Sequence, residues 1–260
     1  MSTIIFEQTN GIARIKLNRP DVRNAFNAEL IQELSDTFKK VEKDAASRVV
    51  ILSGEGGFFC AGADLNWMKS FVGASREENE ADARKLGDLL YYLNNFPKPL
   101  IVVAHGAAVG GGVGLVAVAD IALAAEETVY SLAEVKLGLI PAVISPFVIA
   151  KMGEAGARRY FLTGEKFGND EAMRFGLIHE QLESDQLQAR AGELAKSLLS
   201  SGPEALKAAK ELISKVGSSI NQEVREYTVK KISELRVSAE AQEGIAAFLE
   251  KRKANWIPQK

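Results

Sequence analysis

Short runs of β-branched and apolar residues alternate with longer amphipathic segments over the first two thirds of the chain. The runs at residues 3–8 and 12–17 flank Thr9-Asn10-Gly11, and Asn-Gly between two such runs predicts a β-hairpin. Asn27 precedes apolar residues at helical spacing, so it predicts the capped start of a helix. Three further buried runs predict single strands: residues 49–52, 100–104 and 121–124. Strands that alternate with helices indicate parallel pairing and an α/β fold.

The last third of the chain has a different pattern. From about Glu171 onward the spacing of apolar residues is mostly helical, and Gly202-Pro203 interrupts it. We therefore predict an α/β core over residues 1–200 and a helical region over residues 201–260.

The composition argues against several classes of protein. The 260 residues carry a formal net charge of −2, with 47% hydrophobic and 25% charged residues. These values argue against disorder and against a general affinity for nucleic acid or anionic membranes. The basic residues Lys39, Lys40, Lys43 and Arg48 are interleaved with Glu42 and Asp44, so they predict a solvated face and no nucleic-acid partner.

One uncharged stretch, residues 99–119, is long enough to span a bilayer. His105 and five glycines interrupt it, so a buried strand, a glycine turn and a buried helix explain it better. The first ten residues lack a basic region followed by an apolar run, which argues against a secretory signal. We predict a soluble cytoplasmic protein with no membrane association.

Few residues are available for metal or redox chemistry. Cys60 is the only cysteine, and His105 and His179 are the only histidines. These counts exclude an intrachain disulfide, a cysteine-built zinc site and a multi-histidine metal site. The usual dinucleotide, phosphate-loop, zinc-protease and serine-hydrolase motifs are also missing. We predict no metal and no separate cofactor, and we expect carboxylates and backbone amides to carry the chemistry.

Two turns of small residues follow predicted strands. In the first, Ala61, Gly62 and Ala63 would let a ligand approach the main chain, although a tight strand–helix connection has the same composition. In the second, three glycines at residues 110–112 precede a predicted helix over residues 113–119. Exposed amides at a helix start favour negative charge. Close packing of the helix on the sheet is the alternative explanation for these glycines.

Glu134 is the candidate catalytic carboxylate. It lies in a mostly apolar segment, and a carboxylate among apolar neighbours has a raised pKa that suits proton transfer near neutral pH. The alternative is a surface glutamate paired with Lys136.

These elements, in this order, resemble the crotonase, or enoyl-CoA hydratase/isomerase, superfamily. The resemblance covers nearly the whole chain. It rests on Asn18-Arg19-Pro20, Asn24-Ala25-Phe26, FCAGADL at residues 59–65, HGAAVGGG at 105–112, Ala119-Asp120-Ile121, EVKLGLIP at 134–141, RYFLTG at 159–164, and Ala172 with Gly176-Leu177-Ile178.

The resemblance implies a spiral of ββα turns and a C-terminal helical region that forms a homotrimer or a dimer of trimers. It also implies an acyl-CoA thioester as substrate. The backbone amides of Ala61 and Gly111 would form an oxyanion hole, since fixed N–H groups stabilise charge that develops on the thioester oxygen. Glu134 corresponds to the carboxylate that handles the proton at the α-carbon.

The resemblance implies a wider set of substrate contacts. Asp64 and Leu65 match the main-chain contacts to the adenine end of CoA, and Arg23 and Ala25 would lie near its phosphates. Lys251 and Arg252 would reach the phosphates from a neighbouring subunit, or form a solvated helix face. The predicted substrate-binding residues are Arg23, Ala25, Ala61, Gly62, Ala63, Asp64, Leu65, Gly111 and Gly114.

The chain departs from the two-carboxylate hydratases of the family at Gly114, where those enzymes carry a second Glu. Residues 110–115 and 139–146 resemble bacterial hydratases of 3-methylglutaconyl-CoA and related branched glutaconyl-CoA esters, which act in leucine or acyclic terpene breakdown. The leading hypothesis is hydration of a 2-enoyl-CoA, with such an ester as a candidate substrate. A Δ3,Δ2-enoyl-CoA isomerase that uses one carboxylate and a catalytically silent acyl-CoA binder are the alternatives.

Overall fold

The computed structural model describes residues 2–217 and 221–258. The strands in these ranges are β1 (Ile4–Thr9), β2 (Ile12–Leu17), β3 (Val49–Gly54), β4 (Leu100–Ala104), β5 (Ala107–Val109), β6 (Ile121–Ala125), β7 (Val129–Ser131), β8 (Lys166–Phe167) and β9 (Glu180–Leu182). The helices are α1 (Ala28–Lys43), α2 (Leu65–Ser70), α3 (Arg76–Asn94), α4 (Gly111–Ala117), α5 (Ser145–Thr163), α6 (Asn169–Arg174), α7 (Leu187–Leu199), α8 (Pro203–Val216), α9 (Gln222–Arg236) and α10 (Ala239–Leu249).

The strands form a large and a small sheet. The large sheet has the order β1-β2-β3-β4-β6-β9, and the small sheet has the order β5-β7-β8. The hairpin predicted at Asn10-Gly11 is confirmed, because β1 and β2 pair antiparallel with Thr9 opposite Ile12. The other neighbours in the large sheet are parallel, which confirms the predicted α/β fold.

The chain repeats one unit through its centre. A strand of the large sheet leads to a short strand of the small sheet and then to a helix, as in β4-β5-α4 and again in β6-β7-α5. The unit that begins at β3 follows the same path, with Cys60 forming an isolated parallel bridge to Ala108 of β5. Successive units therefore place equivalent turns side by side.

Apolar layers cover both faces of the large sheet. On one face, α1 buries Leu34 and Phe38 in the main core, as its helical spacing predicts. Asn27 caps this helix through a 2.9 Å hydrogen bond from the Leu30 N–H, which confirms the predicted start. On the other face, α7 packs Ala191 and Ala195 against the sheet.

The predicted C-terminal helical region is present as α8, α9 and α10, which follow Gly202. These helices bury few side chains: Ala208 in α8 and Ala247 in α10 are the buried ones within the described parts of the three helices. Large apolar side chains are exposed in this region instead, including Ile213 in α8, Phe248 in α10 and Val237 between α9 and α10. Within the described ranges, none of the helices combines the length and apolar character that a bilayer crossing requires.

The glycine-rich helix starts earlier than predicted. It spans Gly111–Ala117 and not residues 113–119, because the Gly114 N–H donates to the Gly110 carbonyl over 3.1 Å and closes the first turn. Two of the three consecutive glycines therefore lie inside α4.

Candidate active site

The two small-residue turns lie next to each other because of the order of strands in the small sheet. The Cys60–Ala108 bridge is parallel, and the Val109 N–H donates to the Cys60 carbonyl over 2.9 Å. The chain continues from Cys60 into residues 61–64 and from Val109 into Gly110 and α4. The two turns thus leave the same edge of this layer in the same direction.

The first turn exposes a different amide from the one the sequence predicts. The Ala61 N–H donates to the Arg23 carbonyl over 3.0 Å. Phe26 then donates to the Gly62 carbonyl over 2.6 Å and accepts from the Asp64 N–H over 2.8 Å. This alternation leaves the Ala63 N–H without a backbone or side-chain acceptor among residues 2–217 and 221–258. The prediction of Ala61 as an oxyanion donor is therefore wrong, and Ala63 is the available donor.

The second turn exposes the amide of Gly111. Gly110 has a positive φ of 49°, and its N–H is used in a 2.9 Å hydrogen bond to the Ser131 carbonyl. Gly111 is the first residue of α4, where helix geometry leaves the N–H without an intrahelical acceptor. A Cβ on Gly112 would lie 2.6 Å from the Cys60 carbonyl oxygen. Both explanations of the glycines therefore apply, with Gly111 exposing its amide and Gly112 permitting close packing.

Glu134 faces this pair of turns. A Cβ on Gly110 would lie 3.0 Å from Glu134 Oε1, so the glycine leaves room for the carboxyl group. Glu134 Oε2 is buried and has no hydrogen-bond partner within the described chain. Burial raises the pKa of Glu134, while a backbone N–H contact partly offsets that rise. The Lys136 side chain instead packs near Gly164, which argues against the paired surface glutamate.

A cavity of about 850 Å³ connects these groups. Its lining includes Ala63, Gly111 and Glu134, together with the Trp67 and Met68 side chains of α2. The rest of the lining is largely apolar: Phe26, Leu65, Leu86, Val109, Leu137, Leu139, Ile140, Pro141, Val143 and Ile144. An acyl chain would therefore be buried among apolar side chains with one carboxylate beside it.

Several predicted substrate-binding residues line this cavity, and others do not. Ala61, Gly62, Ala63, Leu65 and Gly111 are among its lining residues. Ala25 and Asp64 are buried outside it, and Asp64 Oδ2 forms a 2.9 Å ion pair with Arg19 Nη2.

The two predicted phosphate-contacting regions, at Arg23 and at Lys251 with Arg252, are both exposed on this chain. Arg23 is exposed, with its guanidinium 5.0 Å from the centre of the Phe58 ring. Arg252 is committed to carboxylates of its own chain, because it contacts Glu243 at 2.7 Å and Glu250 at 2.6 Å. These contacts favour the alternative explanation of Arg252 as part of a solvated face.

Gly114 does not leave an open space for a ligand. A Cβ at this position would lie 2.7 Å from Ile144 Cγ2 and 3.2 Å from Leu90 Cδ1. These two side chains fill the volume that a side chain at residue 114 would need, so the prediction of Gly114 as a substrate contact is wrong. Ile144 itself lines the cavity and forms part of its wall.

Comparisons with known proteins agree with this site and fold. The sequence profile of the enoyl-CoA hydratase/isomerase family matches residues 7–259. The chain belongs to this family. The crystal structure of an enoyl-CoA hydratase from Shewanella pealeana superimposes with a TM-score of 0.95 and 40% identity, over 98% of this chain and 96% of that one. The predicted crotonase-like fold is thereby confirmed.

Curated relatives act on different acyl groups. The chain is 30% identical to the 2,3-dehydroadipyl-CoA hydratase of Escherichia coli, over 97% of each protein. It is also 30% identical to the hydroxycinnamoyl-CoA hydratase-lyase of Pseudomonas fluorescens, over 95% of this chain and 92% of the relative. Overall similarity therefore identifies the family but does not select one acyl group.

Proposed function

We propose that this protein adds water across the 2,3-double bond of a 2-enoyl-CoA. The observation that carries the proposal is Glu134, a partly buried carboxylate with an unpartnered oxygen, lining a cavity with the Ala63 and Gly111 turns. When an oxygen nucleophile bonds to C3, negative charge develops on the thioester oxygen. The two exposed N–H groups supply fixed donors for that charge at the wall of a largely apolar cavity.

One carboxylate can manage both proton transfers of this reaction. Ionised Glu134 accepts a proton from water as the water oxygen bonds to C3, and the π electrons of the double bond move onto the thioester oxygen. Protonated Glu134 then delivers a proton to C2 as the enolate collapses. The elements of water are added, and the carboxylate is restored. The raised pKa of Glu134 suits a group that must both accept and release a proton.

The acyl group that we propose is branched, with 3-methylglutaconyl-CoA as the specific candidate. Supporting this proposal are the sequence resemblance and the relative named as a 2,3-dehydroadipyl-CoA hydratase, whose acyl group also bears a second carboxylate. The cavity wall formed by the described residues contains no Lys or Arg. A distal carboxylate would therefore extend to the cavity mouth, where solvent or a neighbouring subunit can stabilise it.

The test is turnover of a matched set of thioesters: crotonyl-CoA, 3-methylcrotonyl-CoA and 3-methylglutaconyl-CoA. We expect each product to gain the mass of one water, with the highest kcat/KM for the glutaconyl ester. A preference for crotonyl-CoA would overturn the acyl assignment and leave the reaction type intact. Binding of all three without any change in mass would show a silent acyl-CoA binder and contradict the proposal.

A Δ3,Δ2-enoyl-CoA isomerase is the second candidate, and the surroundings of Gly114 favour it. Ile144 and Leu90 occupy the space beside this residue, so a second carboxylate is not available there to activate water. Glu134 alone would move a proton between C2 and C4. Formation of a 2-enoyl-CoA from a 3-enoyl-CoA, with no hydrated product from either, would place the isomerase first.

We also propose that α8, α9 and α10 pack against other copies of the chain in a homotrimer or a dimer of trimers. Exposed apolar side chains support this, since Ile213 in α8 and Phe248 in α10 are 75% and 82% exposed and Val237, between α9 and α10, is 78% exposed. Light scattering on the purified protein is expected to give the mass of three or six chains. A monomeric mass would contradict the assembly.

A further inference from the structure

The first turn is held in register by a side chain that lies far from it in sequence. Arg19 donates through Nη1 to the Ala25 carbonyl and through Nη2 to Asp64 Oδ2, the latter over 2.9 Å. Ala25 precedes the residue that pairs with Gly62 and Asp64, and Asp64 follows Ala63. One guanidinium therefore joins the two segments whose pairing determines that the Ala63 N–H is the unused one.

Asp64 connects this guanidinium to the start of α2. Its Oδ1 accepts from the N–H groups of Asn66, at 2.8 Å, and Trp67, at 3.3 Å, and so caps the helix. Burial opposes ionisation of this carboxyl, but the hydrogen bonds from Arg19 and the two amides hold its pKa below the ordinary value. The Arg19 and Asp64 side chains are only 17% and 8% exposed, so solvent screens the pair weakly.

The segment before the turn is braced in the same way. Asn24 is fully buried with a left-handed backbone, and its Oδ1 accepts from the Arg19 N–H over 2.8 Å. Its Nδ2 donates to the Glu55 and Phe58 carbonyls at 2.9 and 2.7 Å. Arg19 itself lies outside the set of residues that line the cavity. Any effect of Arg19 on the reaction must therefore act through other groups.

We propose that Arg19 is a positioning residue that, with Asp64, keeps the Ala63 N–H directed at the thioester oxygen. This inference rests on the proposed function, because it concerns the same donor. Small displacements of catalytic groups lower rates strongly, by as much as about 10²-fold for a shift of roughly 1 Å. Loss of the two hydrogen bonds from the Arg19 guanidinium is therefore expected to lower kcat. It should leave KM nearly unchanged, since most contacts with the acyl-CoA remain.

The test compares Arg19→Met, Arg19→Lys, Asp64→Asn and the double variant Arg19→Met/Asp64→Asn. We expect a fall in kcat of about 10²-fold for Arg19→Met, on the scale of such displacements. The kcat of the double variant should be close to that of each single variant, because both changes break the same Arg19–Asp64 interaction. Arg19→Lys should also lose activity, since an ammonium group does not reproduce the two hydrogen bonds that the guanidinium donates to Ala25 and Asp64. Lys16→Met, which breaks the more exposed Lys16–Glu55 pair, is the matched control and should keep full activity.

A spectroscopic readout separates positioning from folding. Butyryl-CoA labelled with ¹³C at the thioester carbon has no double bond to hydrate, and its carbonyl resonance should move downfield when two N–H groups polarise the bond. We expect this shift in the wild-type protein, and a smaller shift in bound Arg19→Met and Asp64→Asn. If either folded variant keeps both the wild-type kcat and the wild-type shift, the role of Arg19 is overturned. A wild-type protein that turns over none of the enoyl-CoAs would instead overturn the proposed function.

Discussion

The turn at residues 61–64 and the turn at residues 110–112 supply one exposed amide each, but they are built in different ways. In the first turn, the register depends on backbone pairing with residues 23–26 and on the buried Arg19–Asp64 ion pair. In the second turn, the close approach to Cys60 depends on the absence of side chains, because a Cβ on Gly112 would meet the Cys60 carbonyl. Hydrogen bonds and an ion pair position the first donor, whereas the second donor depends on a glycine that lets the two main-chain segments approach closely.

This difference predicts different sensitivities. The first turn should tolerate changes of side-chain volume, because Ala63 is exposed, but it should respond to changes in the distant residues that brace it. The second turn should tolerate substitutions at distant residues, but even one added methyl group at its glycines should disturb it. Both turns face Glu134. The fall in kcat on replacing that carboxylate is therefore the reference with which the effect of changing each turn can be compared.

Replacement of Glu134 by Gln should give the largest effect. Loss of the proton-transfer group is expected to lower kcat by about 10³-fold, within the range of general acid–base catalysis. The fold should be at least as stable near neutral pH. The raised pKa means that this site favours folding while protonated, and that contribution is lost as pH rises through the folded-state pKa. Near-normal turnover by a folded Glu134→Gln protein would remove Glu134 from the reaction.

Replacement of a single backbone N–H by an ester oxygen would compare the two candidate donors of the first turn. Introducing the α-hydroxy analogue of alanine at position 63 should lower kcat by about 10²-fold, the usual cost of losing one oxyanion donor. The same change at position 61 removes the hydrogen bond to Arg23 and should cost roughly 1 kcal/mol of stability with little effect on kcat. The reverse pattern would reinstate Ala61 as the donor.

The Gly112→Ala variant tests the second turn. The new methyl group would lie 2.6 Å from a carbonyl oxygen of the main chain, so the helix start or residue 60 must move. We expect a stability loss of about 1–3 kcal/mol, typical of overpacking, together with a clear fall in kcat. The change is measured by chemical unfolding and by turnover of the same preparation. Ala63→Ser is the matched small substitution in the first turn and should leave the stability nearly unchanged, because Ala63 is exposed.

The pH profile tests the charge state that the mechanism requires. Hydration needs ionised Glu134, so kcat/KM should fall about tenfold per pH unit once the pH drops below the pKa of this group. Because burial raises that pKa, the acid limb should lie above the ordinary range of glutamate. An acid limb at or below that range would show that a less buried group controls the rate.

A smaller effect is expected at Gly114. Adding a methyl group there brings it against Ile144 Cγ2 and Leu90 Cδ1, which are side-chain atoms, whereas the methyl group of Gly112→Ala meets main chain. Gly114→Ala should cost about 1–2 kcal/mol, and Ile144→Ala, which removes Cγ2, should cost less stability in the Gly114→Ala protein than in the wild type. Additive losses in the double variant would contradict the proposed contact.

Local patterns predicted these parts of the fold well because the interactions that determine them join residues close together in the sequence. The Asn10-Gly11 hairpin, the Asn27 cap and the strand at residues 100–104 each depend on neighbouring residues, and the structure contains all three. The position of Glu134 in an apolar setting was also predictable from its own segment.

The errors lie where distant segments meet. The choice between Ala61 and Ala63 depends on pairing with residues 23–26, and composition alone does not set that register. The space beside Gly114 is filled by Ile144, 30 positions further along the chain, whose approach depends on how α5 packs on α4. The bracing role of Arg19 could have been suspected from its place in Asn18-Arg19-Pro20, but its partner at residue 64 is visible only in three dimensions.

The account depends most directly on the contacts of the thioester oxygen, and a crystal structure with butyryl-CoA bound would measure them. We predict that this oxygen lies about 2.7–3.1 Å from the backbone nitrogens of both Ala63 and Gly111, the range typical of oxyanion donors. The Glu134 carboxyl group should lie beside C2 and C3 of the acyl chain. A carbonyl oxygen that contacts neither amide, or a Glu134 side chain turned away from those carbons, would contradict the account.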